Sequence, residues 1–332
     1  MEIAITAGWI LVWTAAALAG LLLVGVLWEA LCEAFGRQPP PGRLVDVGGG
    51  RKLHVLEKGS GPGPTVVLEM GALEFSAYWW GIQDAVAKFA RVVSYDRAGF
   101  GWSSPVRNRP SMEDRAVELH AMLQAAGIPG PYVLVGHSFG GPLIRLFARN
   151  HPESTAGLVF VDTPDEASMF RDSYQAFVRK TMRPMIGMMG FLMRIGALRL
   201  VEMIKPEKQL TLEARRARSA MRSINLFRAG DAEFDAILNA PPALRGPHGL
   251  GGPLGDRPIS VITHGIKFPA PWDVLEIGWD DGQKTLASLS TNSELIVAEK
   301  SNHLIQFDEP DLVIDAIRRV WLAARDHKRL AA

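Results

Sequence analysis

Gly136-His137-Ser138-Phe139-Gly140 stands between the β-branched run Tyr132 to Val135 and a segment, Pro142 to Asn150, whose apolar residues lie three or four apart. The first pattern suits a strand and the second covers one face of a helix, so the five residues are a strand-to-helix turn. Glycines on both sides of the serine let the turn close more tightly than a β-carbon would permit, which pushes the Ser138 hydroxyl out at the strand's C-terminal edge. A bare G-x-S-x-G spelling arises by chance. Between a strand and a helix it marks an exposed nucleophile.

Outward from this turn the alternation repeats. Residues 65–68, 91–95, 157–161, 259–263 and 295–298 read as strands, and 113–126 and 311–324 carry helical spacing. Such alternation implies an α/β fold with a mostly parallel sheet and helices on both faces. Residues 164–256 break the rhythm: no convincing strand, a Met-rich helical segment from Met182 to Met203, and a Gly/Pro-rich tract from Pro241 to Gly255. The interval is expected to be a helical cap over the turn; a structural extension with no substrate role is the alternative. Met182, Met185, Met188, Met189 and Met193 either line a pliable pocket or fill a core, and Met at helical spacing more often does the second. Gly48-Gly49-Gly50 lacks the lysine and the spacing of a phosphate-binding loop, so it reads as a turn between strands.

Composition narrows the ligand class. With 332 residues, 48% of them hydrophobic, the chain has enough material for a large core. Lys and Arg total 36 against 35 Asp and Glu, a formal charge of +1 that exerts no global pull on nucleic acid. The expected partner is a neutral or lipophilic small molecule. No H-E-x-x-H, paired C-x-x-C or clustered His/Asp set points to a metal. Cys32 is the single cysteine, which excludes an internal disulfide, and Glu29-Ala30-Leu31 before it does not suit lipidation.

No charge appears from Ile3 to Trp28. Those 26 residues, helical at about 1.5 Å each, extend about 39 Å, more than the roughly 30 Å of a hydrocarbon core. A cleaved signal peptide is the rival, since Ala17 and Ala19 form an A-x-A pattern, but the front end holds Glu2 and no cation, and the run is long for that purpose. It is read as a retained single-pass membrane anchor. Arg37, Arg43, Arg51 and Lys52 follow the run and no Lys or Arg precedes it, which by the positive-inside rule leaves the rest of the chain in the cytoplasm. Gln38-Pro39-Pro40-Pro41-Gly42 makes a stiff, extended break after the anchor.

Two further stretches join the serine turn in one pattern: Tyr95-Asp96-Arg97-Ala98-Gly99-Phe100-Gly101-Trp102-Ser103, and Ser301-Asn302-His303 followed by Asp308-Glu309-Pro310. Together they resemble the α/β-hydrolase superfamily, over roughly residues 43–325. The resemblance implies an eight-stranded sheet and a triad in the chain order Ser, acid, His. It makes Asp96 and Arg97 braces of the turn after the fourth strand.

A serine hydroxyl needs a base to remove its proton during attack. His303, in the loop after the strand 295–298, is the candidate; His264, which directly follows 259–263, is the rival, and His137 sits inside the turn facing the sheet. Many relatives carry the acid three residues after a glycine at the end of the seventh strand, where Gly265-Ile266-Lys267-Phe268 puts Phe268. The family's alternative, the end of the sixth strand, is met by Gly157-Leu158-Val159-Phe160-Val161-Asp162, so Asp162 is the expected acid. Asp273, Asp165 and Glu166 remain open for that role, and helix capping is the bland reading of Asp162. The oxyanion donors implied are the amides of Phe139 and Ala72, with Leu73 the alternative to Ala72 because Met70 replaces the histidine usual in that loop. Glu69 and Glu74 are expected to be solvated loop charges.

The organisation expected is an anchor and flank over 1–37, a hydrolase core over 38–163 and 257–332, and the cap over 164–256. The expected function is cleavage of a lipophilic carboxylic ester by Ser138, His303 and Asp162 through an acyl-enzyme, with no cofactor. Haloalkane dehalogenases and epoxide hydrolases resemble this fold but use a carboxylate nucleophile, which Ser138 argues against. Thioesterase, amidase, peptidase, carbon–carbon hydrolase or acyltransferase activity would use the same triad. A non-catalytic ligand-binding or scaffold protein is the alternative of another class.

Overall fold

The computed structural model describes residues 2–36, 38–106, 108–204, 210–221, 223–246 and 248–330, with the side chains of all but 2–5 and 202–204. Arg37, one of the flanking cations above, lies outside the described residues. After α1 (Glu2–Phe35) come β1 (Arg43–Asp46) and β2 (Lys52–Lys58), joined through Gly48-Gly49-Gly50, all three at positive φ as a tight turn requires. The chain then alternates through β3 (Thr65–Glu69), α2 (Trp80–Val86), β4 (Val92–Tyr95), α3 (Met112–Ala125), β5 (Tyr132–His137), α4 (Gly140–Asn150) and β6 (Thr155–Val161). Helices follow: α5 (Glu166–Met169), α6 (Asp172–Phe177), α7 (Arg183–Arg194), α8 (Ala197–Ile204), α9 (Leu212–Met221), α10 (Ile224–Leu238) and α11 (Pro242–Arg245). The alternation then resumes with β7 (Ile259–His264), α12 (Trp279–Ala287), β8 (Ser293–Ala298), α13 (Ile305–Asp308) and α14 (Pro310–Asp326).

The strands form one eight-stranded sheet in the order β1-β2-β4-β3-β5-β6-β7-β8, with β1–β2 and β2–β4 antiparallel and the remaining pairs parallel. Every residue of β3 and β5 is buried, as befits central strands covered on both faces. Val67, Leu68, Leu134, Val135, Phe160 and Val161 are wholly inaccessible, each such side chain contributing about 1.5–3 kcal/mol. Helix α3 packs on α4, and α14 packs on α2 and along β5, β6 and β7. The start of α3 is fixed by a capping box: Asp114 N–H donates to Ser111 Oγ at 3.0 Å, and Ser111 N–H to Asp114 Oδ2 at 2.9 Å.

Among the described residues the segment between β6 and β7 holds helices and no strand. Its core joins α4 through Phe139, Leu143 and Leu146 to Met169, Ile186, Met193, Phe234 and Ile237. The Met-rich stretch read as one helix is broken at Ile195-Gly196, where Gly196 takes φ 73°. Its methionines divide: Met193 is in the core, Met182 lines a cavity, and Met188 is exposed. Among the described residues, α1 is the one helix long and apolar enough to cross a membrane.

Candidate active site

Sheet register sets the site. His137 pairs with Val161 across β5 and β6, and Val161 pairs with Ile262 across β6 and β7, so Ser138, Asp162 and the end of β7 emerge side by side at the strands' C-terminal edge. Ser138 N–H donates to Val161 O at 3.0 Å and Asp162 N–H to Ile262 O at 2.8 Å, carrying the ladder one step beyond the strands. Both residues then turn sharply, Ser138 at φ 48° and Asp162 at φ 47°. Non-glycine residues rarely hold this conformation, and it recurs where a structure aims a functional side chain. The flanking glycines are required by space: a β-carbon at Gly136 would lie 2.8 Å from Gly140 backbone, and one at Gly140 2.8 Å from the carbonyl oxygens of Glu69 and Met70.

His303 arrives on the loop between β8 and α13. Its Nε2 lies 2.9 Å from Ser138 Oγ and its Nδ1 2.7 Å from Asp162 Oδ2. A carboxylate accepts only, so Nδ1 carries the proton and Nε2 is left to accept from the serine hydroxyl. His137, buried inside the turn, steadies this loop from below through a 2.9 Å contact of its Nε2 with the His303 carbonyl oxygen, to which it donates. The other His137 nitrogen lies 3.1 Å from Glu74, which also accepts from Gly71 N–H at 2.8 Å. Burial opposes charge on both members of this pair, but their mutual attraction outweighs it: His137 is raised and Glu74 lowered from their ordinary values.

Asp162 is fully buried and serves a second histidine. His264 donates its backbone N–H to Asp162 Oδ1 at 2.9 Å, its Nδ1 lies 2.7 and 2.9 Å from the two carboxylate oxygens, and its Nε2 lies 3.0 Å from Glu276. Burial pushes the Asp162 carboxyl up, but hydrogen bonds from His264 and His303, with their charge, bring it down to about 2. For His264 burial acts downward and is outweighed by Asp162 and then Glu276, so its imidazole is raised. The other candidate acids stand elsewhere: Asp165 caps α5 by accepting from Ser168 N–H at 2.9 Å, Glu166 holds Arg145, and Asp273 is exposed.

The loop after β3 is braced by charges that the sequence reading left in solvent. Glu69 and Glu74 are 0% and 6% exposed. Glu69 binds Arg97 and the Tyr95 hydroxyl, while Arg97 also donates to the carbonyls of Met70 and Gly71 at 2.7 and 2.6 Å and to Glu233 of α10 at 2.8 Å. Solvation failed as a reading because Arg97 supplies inside the protein what water supplies outside. Asp96 braces the next turn, accepting from Ser76 N–H at 2.8 Å and Trp102 N–H at 3.0 Å. Leu73, at φ 64°, gives its N–H to Glu233 at 3.1 Å. Ala72 and Phe139 keep N–H groups without a protein acceptor among the described residues, beside Ser138 in one cavity of about 150 Å³. Its remaining wall is mostly apolar, including Met169, Tyr174, Met182, Phe234, Phe268 and Trp272.

Sequence reasoning missed His264 as a ligand of Asp162, the His137–Glu74 pair, Glu276 and Glu233. His264 carried a signal, a titratable side chain at the last position of a buried strand; Glu233, in an amphipathic helix far along the chain, carried none.

Residues 64–184 match the family model described as alpha/beta hydrolase fold. The chain is 27% identical over 278 residues to the uncharacterized protein YqjL of Bacillus subtilis, covering 83% of this chain and 90% of that one. It is 35% identical to bifunctional epoxide hydrolase 2 of Rattus norvegicus over 127 residues, which are 36% of this chain and 22% of that protein. A thermophilic esterase from Thermogutta terrifontis superposes with a TM-score of 0.58 at 21% identity, over 85% of this chain and 98% of that one. With the sheet order, the serine turn and these matches together, the chain has the α/β-hydrolase fold, and its residues 64–184 carry that family's pattern.

Proposed function

We propose that the protein is a serine hydrolase that cleaves a lipophilic carboxylic ester through an acyl-enzyme. The observation that carries the reading is the continuous line Ser138 Oγ, His303 Nε2, His303 Nδ1, Asp162 Oδ2, with links of 2.9 and 2.7 Å. Ser138 Oγ attacks the ester carbonyl carbon as His303 Nε2 takes its proton, and Asp162 holds the imidazolium that forms. The amides of Phe139 and Ala72 receive the oxyanion; Leu73 is committed to Glu233. His303 returns the proton to the departing alkoxide. Water, deprotonated by the same nitrogen, then attacks the acyl carbon, and as the bond to Ser138 Oγ breaks His303 passes that proton to Oγ, releasing the acid. The chain's own residues supply every step, and the apolar wall favours a lipophilic acyl or alcohol part.

The partial likeness to an epoxide hydrolase does not redirect the proposal, because this elbow holds a hydroxyl and not the carboxylate that such chemistry uses. We read α1 as a retained single-pass anchor with the hydrolase on the cytoplasmic side; in support, Glu29 near its C-terminal end is paired with Arg199 of α8. The test of the hydrolase reading is labelling of the full chain with a fluorophosphonate. Wild type is expected to take the label and Ser138→Ala to take none; a wild type that stays unlabelled, or a variant that labels as well, sinks the reading.

A further inference from the structure

From residue 6 to residue 24, α1 is exposed on every side, and only then does it meet the rest of the protein. The first contact is backbone on backbone. A β-carbon at Gly25 would lie 2.2 Å from the Ile195 carbonyl oxygen, and one at Gly196 would lie 3.0 Å from the Gly25 oxygen and from the Trp28 ring. One turn later Glu29, 6% exposed, takes Arg199 through two hydrogen bonds of 2.6 and 2.9 Å. A guanidinium joined to a carboxylate by two buried hydrogen bonds is fixed in orientation as well as distance, so this junction has one geometry. The turn between α7 and α8 therefore clasps the anchor at a fixed height.

The uncharged run before that height, residues 3–24, measures about 33 Å at about 1.5 Å per residue, enough to cross roughly 30 Å of hydrocarbon. The bilayer ends where the clasp begins. Around the same turn large apolar side chains lie open: Met188 and Phe191 on α7 at 57% and 54% exposure, Leu200 and Val201 on α8 at 52% and 57%. Phe191 precedes Ile195 by one turn and Leu200 follows Gly196 by one, so along their helices both lie within about 6 Å of the clasp. Arg194, exposed beside them, has no acidic partner among the described residues and shares a groove with Phe191 and Arg228. Open apolar side chains flanked by guanidinium groups suit a helix lying in the headgroup–acyl boundary.

The geometry points to the α7–α8 hairpin as a second membrane contact: Phe191, Leu200 and Val201 enter the surface of the bilayer that α1 crosses, and Arg194 meets a lipid phosphate. The inference rests on α1 as a retained span and on the ester-site reading, and it gives that site a substrate class, esters that reside in the bilayer.

The test uses the full chain with Cys32→Ser, single cysteines in place of Leu18, Phe191, Val201 and Asp281, and a fluorophore on each. The proteins are reconstituted in vesicles of phosphatidylcholine and phosphatidylglycerol, with nitroxide lipids or iodide as quencher. Positions 18, 191 and 201 are expected to be quenched by the lipids and shielded from iodide, and position 281, an exposed residue of α12, the reverse. If 18 is in lipid while 191 and 201 meet iodide as 281 does, the hairpin contact is overturned and the span stands; if 18 meets iodide, both fall. Shielding of 191 and 201 from both quenchers means a second protein copy covers the face, which also overturns it. Fluorophosphonate labelling in the same vesicles reports on the ester site independently. Phe191→Asp with Val201→Asp should lower hydrolysis of a vesicle-embedded long-chain ester by about tenfold or more and leave a short soluble ester unchanged. Equal loss on both substrates, or loss on neither, overturns the contact.

Discussion

Two histidines grip Asp162 from two regions of the molecule, and their second nitrogens meet opposite chemistry. His303, on the loop after β8, has a side chain 31% exposed, and its Nε2 faces the Ser138 hydroxyl. His264, the last residue of β7, has a side chain 1% exposed, and its Nε2 faces the Glu276 carboxylate. A hydroxyl has a proton to give, so His303 meets it with a lone pair; a carboxylate has none, so His264 meets it with a proton. Residue type and the shared acid are the same in both, and the distal partner alone assigns the role. On the proposed mechanism His303 is the base poised for transfer, while His264, with each ring nitrogen against a carboxylate, is a positioning residue for Asp162.

The largest expected effect is the contrast between the same substitution at the two rings. His303→Gln should lower kcat by about 10⁴ or more, since the triad acts as a unit. His264→Gln takes a ring away from Asp162 while the residue-264 backbone N–H and His303 still donate to it, and should lower kcat by about ten- to a hundredfold. KM for a soluble ester should move less than kcat in the second variant, because His264 does not line the cavity itself but packs behind Phe268 and Trp279, which do. Steady-state kinetics decide; losses of one size in both variants would abolish the distinction.

Most of this half of the comparison was legible before the structure. The glycine spacing around Ser138 declares itself because a turn this tight admits few residues; the hydrophobic run before Asp162 marks a strand end, and the resemblance to α/β-hydrolases is what made that residue the expected acid. Strands β3 to β8 and helices α3, α4 and α14 were likewise readable from composition and period, and so was the glycine turn between β1 and β2, whereas the positions of β1, β2, α2 and α12 were not read. What stayed hidden is non-local. Glu69 and Glu74 look solvated in sequence because nothing nearby announces Arg97 or His137, and the Leu73 amide looked equal to that of Ala72 until Glu233, 160 residues away, was found holding it. The Met-rich run read as one helix because periodicity is blind to a single glycine chosen for its fit against Gly25.

A smaller effect separates the rings through stability in acid. The Asp162 carboxyl is lowered to about 2 in the folded protein against about 3.9 when unfolded, worth about 2 to 3 kcal/mol by linkage. A depressed acid stabilises above its unfolded value and loses that contribution as pH falls through the folded one, so the window is roughly pH 4 down to pH 2. The hydrogen bond from His264 is the largest influence lowering the carboxyl and that from His303 the next. Urea midpoints measured across this window should therefore flatten more in His264→Gln than in His303→Gln; the reverse order would make the exposed ring the main support of the acid.

The finest test addresses the feature that sets His264 apart, its second carboxylate. His264 is raised from 6.5, with burial opposing and Asp162 and Glu276 prevailing. A raised histidine contributes stability that is whole below its unfolded value near 6.5 and fades as pH climbs through the folded value. Glu276→Gln removes one of the two anions, so the imidazole should release its proton at lower pH, visible in nitrogen-resolved NMR of the labelled ring. The melting temperature of the variant should trail wild type most below pH 6.5 and converge with it in alkali. Glu276 also accepts from Phe268 N–H at 2.8 Å, a bond that glutamine retains through its carbonyl oxygen, and pairs with Lys267 at 3.2 Å, which glutamine does not, so a deficit unchanged across pH would trace to that lost ion pair and not to His264. A pH-dependent deficit, with catalysis nearly intact, would identify Glu276 as the group that keeps this ring charged and out of the proton transfer its neighbour performs.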